Sequence, residues 1–288
     1  FMNDREMTIE VNPGDINMEK SKALKATGFN RVNLGVQSFN DDELMFLGRR
    51  HDADDAKEAV KCLRESGFDN IGMDLIYGLP GQSLEAWKNN LERAVEIAPE
   101  HISCYQLSIE KGTQFANWKE KGLIEPIGEE AEESFFLITS QFLEDYGYIH
   151  YEISNFAKGD EYYSFHNRKY WDHTSYLGLG PSSHSFNGNS RWWDMRSVRG
   201  YCEVLERGDT PIEGSEDLTE EQMMMETVSL GLRTMWGFDM NILYRDTEPD
   251  KVVSMLEKSG YIYVKDERII PTKKGFLIAD QLPLYFFK

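Results

Sequence analysis

Short apolar runs alternate with longer amphipathic stretches through the first half of the chain. Runs at 31–36, 70–77 and 149–153 have the composition of strands, with Thr8–Val11 and His101–Leu107 as further candidates. Helical stretches lie between them, near 18–26, 53–66, 84–97 and 130–145. Three helix-to-strand junctions share one grammar, KATGFNRVNLGV, RESGFDNIGMDLIYG and EDYGYIHYEI, with Gly28, Gly67 and Gly147 at matching places. A glycine just past a helix accepts the left-handed conformation that closes it, and the aromatic that follows packs back. Asp52 and Ser83 stand where N-caps of the second and third helices belong. Strands alternating with helices predict a parallel sheet, with five βα-type units before about residue 157.

Polar residues interrupt this pattern at strand ends. Glu10 closes TIEV before the turn NPGD, Gln37 closes VNLGV, and Asp74 stands inside the apolar run IGMDLIYGLPG. Gln106 and Ser108 end ISCYQLS, and Glu152 lies in HYEIS. In a βα barrel, ligand-binding side chains come from the C-terminal strand ends and the loops after them. Any one of these residues alone is equally well a strand-end cap or a buried hydrogen-bonded group. Their recurrence from strand to strand favours a partial parallel βα barrel carrying a site, over a flat doubly wound sheet.

The grammar changes after residue 157. Residues 158–212 form an aromatic-rich connecting segment with His, Gly and Ser, too apolar for a linker. Residues 213–288 read as a smaller, mostly helical domain, opened by the capping box Thr219-Glu220-Glu221-Gln222. The order helix (250–258), strand (GYIYV), turn (KDER), strand, helix gives its end a winged-helix-like appearance, with Lys265, Arg268, Lys273 and Lys274 on and beside the wing.

Charge narrows the partners. The chain has 31 basic and 50 acidic residues, a net charge of −19, which argues against duplex nucleic acid because that binding rests on neutralised phosphates. A small anion in a locally basic pocket remains compatible. Cys62, Cys104 and Cys202 are too few and scattered for a disulfide framework and are expected as buried small apolar side chains. No apolar run is long enough to cross a bilayer and no secretory leader is evident, so a reducing cytoplasm is the expected compartment.

Taken together, IEVNPG, GFNRVNLGVQSFNDDELMFLGRRHD, NIGMDLIYGLPGQ, HISCYQLSIE and YEISNFA resemble the radical S-adenosylmethionine proteins related to oxygen-independent coproporphyrinogen III oxidase. The segments HNRKYW (166–171) and YLGLGPSSHSF narrow the resemblance to the HemW branch of haem chaperones. It runs from about residue 7 to the C-terminus. One departure is plain: the C-x3-C-x2-C loop that holds the family's [4Fe–4S] cluster, and the Gly-rich segment after it, are not in this sequence. The resemblance implies that this portion of the family fold precedes Phe1.

The resemblance also implies a cofactor site. Glu10, Gln37, Arg49, Asp74, Ser108 and His184 fall where the family contacts S-adenosylmethionine. Carboxylate and amide acceptors suit a ribose diol, and a guanidinium suits the methionine carboxylate. A helix-end cap is the alternative for Arg49, but a bare cap would not need a guanidinium, which favours the ligand. In the HNRKYW motif, His166 is the candidate haem-iron ligand, with Asn167, Tyr170 and Trp171 around it. His173 and His184 are alternatives, and a structural role for the motif is the competing reading. His51 reads as a surface or helix-capping residue. The expected activity is haem binding and delivery to acceptor proteins. An oxidase-like decarboxylation of porphyrinogen propionates and a non-catalytic small-ligand barrel are the alternatives, and a homodimer is possible.

Overall fold

The computed structural model describes residues 5–245 and 249–287, and the chain divides into two compact units, Phe1–Tyr163 and Ser164–Lys288. In the first unit the elements run β1 (Thr8–Val11), α1 (Met18–Thr27), β2 (Arg31–Gln37), α2 (Asp41–Phe46), α3 (Ala53–Glu65), β3 (Ile71–Tyr77), α4 (Leu84–Ile97), β4 (His101–Gln106), α5 (Gln114–Glu120), α6 (Glu129–Asp145), β5 (Ile149–Glu152) and β6 (Asn155–Ala157). Strands β1 to β4 are parallel neighbours in sequence order. This is the parallel βα framework that alternating strands and helices predict.

The local signals act as their chemistry requires. Asp52 forms a reciprocal capping box with Asp55, and Ser83 accepts from the Ala86 N–H. Gly28, Gly67 and Gly147 have φ of 106°, 89° and 83°. The aromatic after each returns a hydrogen bond into the helix just ended: Phe29 to Leu24, Phe68 to Leu63 and Tyr148 to Leu143. Phe68 and Tyr148 are buried, so each junction fixes where the next strand starts.

The fifth unit departs from the expected pattern. The sheet order is β1-β2-β3-β4-β6-β5, with β6 antiparallel both to β4 and to β5. Only Ile153 and Ser154 separate β5 from β6, and so short a connection makes a hairpin rather than a crossover. The Ser154 carbonyl accepts from the Cys104 N–H at 2.7 Å, which seats the hairpin against β4.

The two faces of the parallel sheet differ in chemistry. Alternation along β2, β3 and β4 sends Val32, Leu34, Val36, Ile71, Met73, Leu75, Tyr77, Ile102 and Cys104 into one core with α3, α4 and α6. Trp87 of α4 is fully buried there and donates its Nε1–H to Thr139 Oγ1 of α6 at 2.7 Å. The intervening residues, among them Arg31, Asn33, Asp74, His101 and Ser103, take the other face. Parallel sheets ordinarily bury apolar side chains on both faces. A polar second face is the first structural sign of a site.

The second unit contains α7 (Phe165–Trp171), β7 (His184–Phe186), β8 (Ser190–Asp194), α8 (Val198–Glu206), β9 (Ile212–Asp217), α9 (Glu220–Gly231), β10 (Phe238–Asp239), α10 (Asp250–Lys258), β11 (Ile262–Lys265), β12 (Arg268–Pro271) and α11 (Lys273–Phe276). It carries two antiparallel three-stranded sheets, β7-β8-β9 and β10-β12-β11. The first of them arises inside the aromatic-rich segment, where SFNGNSRWW folds as a hairpin that β9 extends. Its glycines and aromatics hide the period-two pattern. Helix α9 begins with the expected capping box between Thr219 and Gln222.

Candidate functional site

The polar face of the first unit centres on Asp74. The register sets Glu10 opposite Asn33, Asn33 opposite Gly72 and Gly72 opposite His101, and two residues further along sets Asp74 opposite Ser103, so two adjacent rows of polar side chains share one face of the four strands. Asn33 Nδ2 donates to Asp74 Oδ2 at 2.6 Å. Asp74 Oδ1 and Asn33 Oδ1 are buried and have no partner, as is Arg31 Nε. Burial, the largest effect, raises the Asp74 pKa above the ordinary carboxylate value; the Asn33 hydrogen bond and then the neighbouring Ser103 hydroxyl oppose this, Glu10 adds to it, and Arg31 opposes it. Buried acceptors without donors are rare in native folds and are explained by a ligand or solvent that supplies the missing hydrogens.

The backbone makes room for this arrangement. A Cβ on Gly72 would stand 2.2 Å from Asn33 Oδ1 and 3.2 Å from an Arg31 guanidinium nitrogen, so only glycine lets Asn33 cross towards Asp74. At the end of β2 the register slips between Leu34 and Gln37, and Gln37 takes φ of 70°. Such strain in a non-glycine residue clusters at functional sites. The loops beyond are tied together through Glu43, which accepts from Gln82 Nε2 at 3.0 Å and Asn90 Nδ2 at 2.9 Å.

Lower on the same face, His101 Nε2 pairs with Tyr151 Oη at 2.7 Å. Burial first, then the charge of Arg31, holds the imidazole pKa well below its usual value, so it is neutral at physiological pH.

The residues singled out in the sequence are distributed as follows. Glu10, Gln37 and Asp74 lie on the parallel strands, and Glu10 is exposed at its strand end. Arg49 lines a cavity of about 350 Å³ with Asn12, Gly14, Asp15 and His51, and its Nη1 reaches Asn12 Oδ1 at 3.5 Å. Ser108 is exposed and its hydroxyl donates to Glu110. His184 begins β7 in the second unit, where its ring stacks on Trp193 with centroids 6.0 Å apart.

His166, Asn167, Tyr170 and Trp171 all lie on α7. His166 and Tyr170 are one turn apart, with Nε2 and Oη 3.2 Å from each other. Trp171 Nε1 is buried without a hydrogen-bond acceptor, while the Arg233 guanidinium lies 6.0 Å from its ring centroid. Sequence reasoning passed over Asn12, Arg31, Asn33 and Ser103. The signal available was a polar residue at every second position of an otherwise apolar strand.

Two expectations are corrected. His51 is buried, not a surface residue, with Nε2 at 3.0 Å from the Val36 carbonyl. That carbonyl also accepts from the Ser38 N–H at 2.9 Å, so His51 joins a tight turn at the end of β2. Cys202 is exposed, because α8 buries none of its residues. Cys62 and Cys104 are buried, and burial pushes both thiols up. Among the described residues no group of three or more His, Cys, Asp or Glu side chains is placed to hold a metal ion, so these residues do not fit a [4Fe–4S] cluster. The acceptors around Asp74 do fit a hydroxyl-bearing nucleoside. No helix among the described residues is long and apolar enough to cross a membrane.

Comparison with known proteins gives the same direction. Residues 1–94 match the radical SAM superfamily. A Bacillus subtilis protein named heme chaperone HemW is 34% identical over 284 residues, covering 96% of this chain and 74% of its own length. The protein of that name from Lactococcus lactis is 31% identical over 288 residues, with coverage of 96% and 74%. Among solved structures, coproporphyrinogen III oxidase (HemN) from Escherichia coli, described as a radical SAM enzyme, superposes with a TM-score of 0.79 at 25% identity, covering 98% of this chain and 70% of that one. With the parallel βα framework and its polar face, these likenesses identify the chain as a member of the HemW family of radical S-adenosylmethionine proteins.

Proposed function

We propose that this protein binds S-adenosylmethionine at the strand ends of its first unit, carries haem on its second unit, and passes the haem to acceptor proteins in the cytoplasm. The observation that carries this reading is the likeness to HemW proteins over nearly the whole chain, α7 included. In this reading the unpartnered Asp74 Oδ1 and Asn33 Oδ1, together with Glu10 and Gln37, accept from the nucleoside hydroxyls. Arg49 supplies a guanidinium for the amino-acid carboxylate, and Ser108 is a further polar side chain on the same unit. The haem lies against α7, where Tyr170 and Trp171 offer rings to a macrocycle and His166, Asn167 and their neighbours offer polar contacts.

Titration of the chain with hemin, followed in the Soret region, tests the haem half. Saturable one-to-one binding that weakens several-fold in Tyr170→Ala supports it, whereas absence of saturation in the wild-type chain refutes it. A second reading, porphyrinogen decarboxylation, is favoured by the likeness to the Escherichia coli oxidase. Sustained vinyl product from this chain extended by a cluster-binding segment and supplied with S-adenosylmethionine, a reductant and an electron acceptor would establish it over a purely carrying role.

A further inference from the structure

The loop after β2 opens on a strained turn. Gln37 has φ of 70°, and the Ser38 N–H returns to the Val36 carbonyl at 2.9 Å, two residues back. That pattern is the rare, strained form of the γ-turn. It folds the Gln37 amide back over the polar face of the sheet: a Cβ on Gly35 would stand 2.9 Å from Gln37 Nε2. Strain of this kind persists only where neighbouring contacts over-determine it. The residues that supply those contacts come immediately downstream.

Ser38 and Phe39 are buried and clamped from two sides. The Phe39 N–H donates to Asn90 Oδ1 of α4 at 2.6 Å, and Arg93 of the same helix donates to the Phe39 carbonyl at 2.6 Å. The Ser38 hydroxyl donates to Glu43 Oε2 at 2.5 Å and lies 3.1 Å from Asn90 Oδ1. Glu43 Oε2 also accepts from Asn90 Nδ2, and its Oε1 accepts from Gln82 Nε2. Gln82 Oε1 in turn accepts from the Gly78 N–H at 2.8 Å, where the loop after β3 begins. One carboxylate therefore joins the loops after β2 and β3 to α4. All three of its partners donate. An amide in its place accepts through one atom only, and its NH2 would face that of Asn90 or Gln82.

We infer that Glu43 is a positioning residue for the cofactor: it acts through Gln37, which it holds in the strained turn that sends the amide to the nucleoside. The inference rests on the S-adenosylmethionine half of the reading above. Two consequences follow from the bonding. The loops after β2 and β3 loosen together when the carboxylate is lost, although they are remote in sequence. A charge swap, Glu43→Gln with Asn90→Asp, keeps the clamp: the amide donates to the carboxylate now on α4, which still accepts from the Phe39 N–H and the Ser38 hydroxyl, while Gln82 still donates to the amide oxygen.

The test is calorimetric titration of the full chain with S-adenosylmethionine, beside amide hydrogen exchange at Phe39 and Gly78. Glu43→Gln is expected to bind about tenfold more weakly, the loss of one hydrogen bond to a charged group. The charge swap should recover most of that affinity. In a Gln37→Gly background, where glycine suits the left-handed turn, Glu43→Gln should cost little more, because the side chain it positions is gone. The Phe39 and Gly78 amides should exchange faster together in Glu43→Gln. If that variant proves misfolded by circular dichroism, Ser38→Ala, which removes one donor from the carboxylate, takes its place in the same background comparison. Wild-type affinity in Glu43→Gln, or an equal loss with and without Gln37, overturns the inference and leaves the cofactor reading intact. Amides that exchange independently overturn the clamp. Failure of the wild-type chain to bind S-adenosylmethionine saturably overturns the cofactor reading, and the role assigned to Glu43 with it.

Discussion

At the scale of single residues, Asp74 holds the most chemical information. One carboxylate oxygen is held by Asn33 and the other is buried without a donor. Removing a hydrogen bond to a charged group costs about 1.5–3 kcal/mol, so Asp74→Asn is expected to weaken S-adenosylmethionine binding about 10- to 100-fold by calorimetry. The pH dependence follows from the raised pKa. Between the ordinary carboxylate value and the raised one, the folded protein holds a proton that the unfolded chain has lost. Stability conferred by protonated Asp74 is therefore present at low pH and declines as pH rises through that window. Ligand binding runs the opposite way, since the carboxylate must be ionised to accept two donors. The wild-type acid limb of binding should lie above that of an ordinary carboxylate, and it should be absent from Asp74→Asn. An acid limb unchanged by the substitution would assign the titration to another group.

At the scale of elements, the four parallel strands and their helices were legible from the chain because their signals are local. Caps, C-terminal glycines and short apolar runs each act within a few residues, and the strands at 8–11, 31–37, 71–77 and 101–106 emerge close to where the pattern put them. The β5–β6 hairpin and the β7-β8-β9 sheet were not legible, because pairing between strands is settled by partners outside the local window. Gly72 shows the same dependence at one position: its lack of a Cβ matters only because Asn33 of the neighbouring strand occupies that space. Gly72→Ala is expected to cost about 1–3 kcal/mol of stability in urea unfolding, the range for overpacking. It should also weaken S-adenosylmethionine binding by displacing Asn33 from Asp74. Full stability in that variant would contradict the close approach.

At the scale of the whole molecule, the dominant feature is the net charge of −19. Self-repulsion of a strongly charged chain opposes the compact state, and salt screens it over about 10 Å at 0.1 M. The thermal midpoint should rise by a few degrees between 10 mM and 150 mM salt, measured by calorimetry; a midpoint that falls would mean that specific ion pairs outweigh the general repulsion. The ion pairs present give little reason to expect that, since most involve an exposed partner.

By itself the sequence determined the βα framework, the helix ends, the candidate acceptors Glu10, Gln37 and Asp74, and a resemblance to one family, because each is written in contiguous residues. The tertiary structure decided what those residues touch. It set Asn33 against Asp74 across a β2–β3 register in which Gly72 clears the way, buried His51 against the Val36 carbonyl at the end of β2, and turned Ser108 to the surface. It also gathered His173, Phe186, Arg191 and Glu226, spread over more than fifty residues of chain, around one cavity. The physical reason is range: propensity and capping act along the chain, whereas burial, unsatisfied hydrogen bonds and cavities exist only once distant segments are packed together.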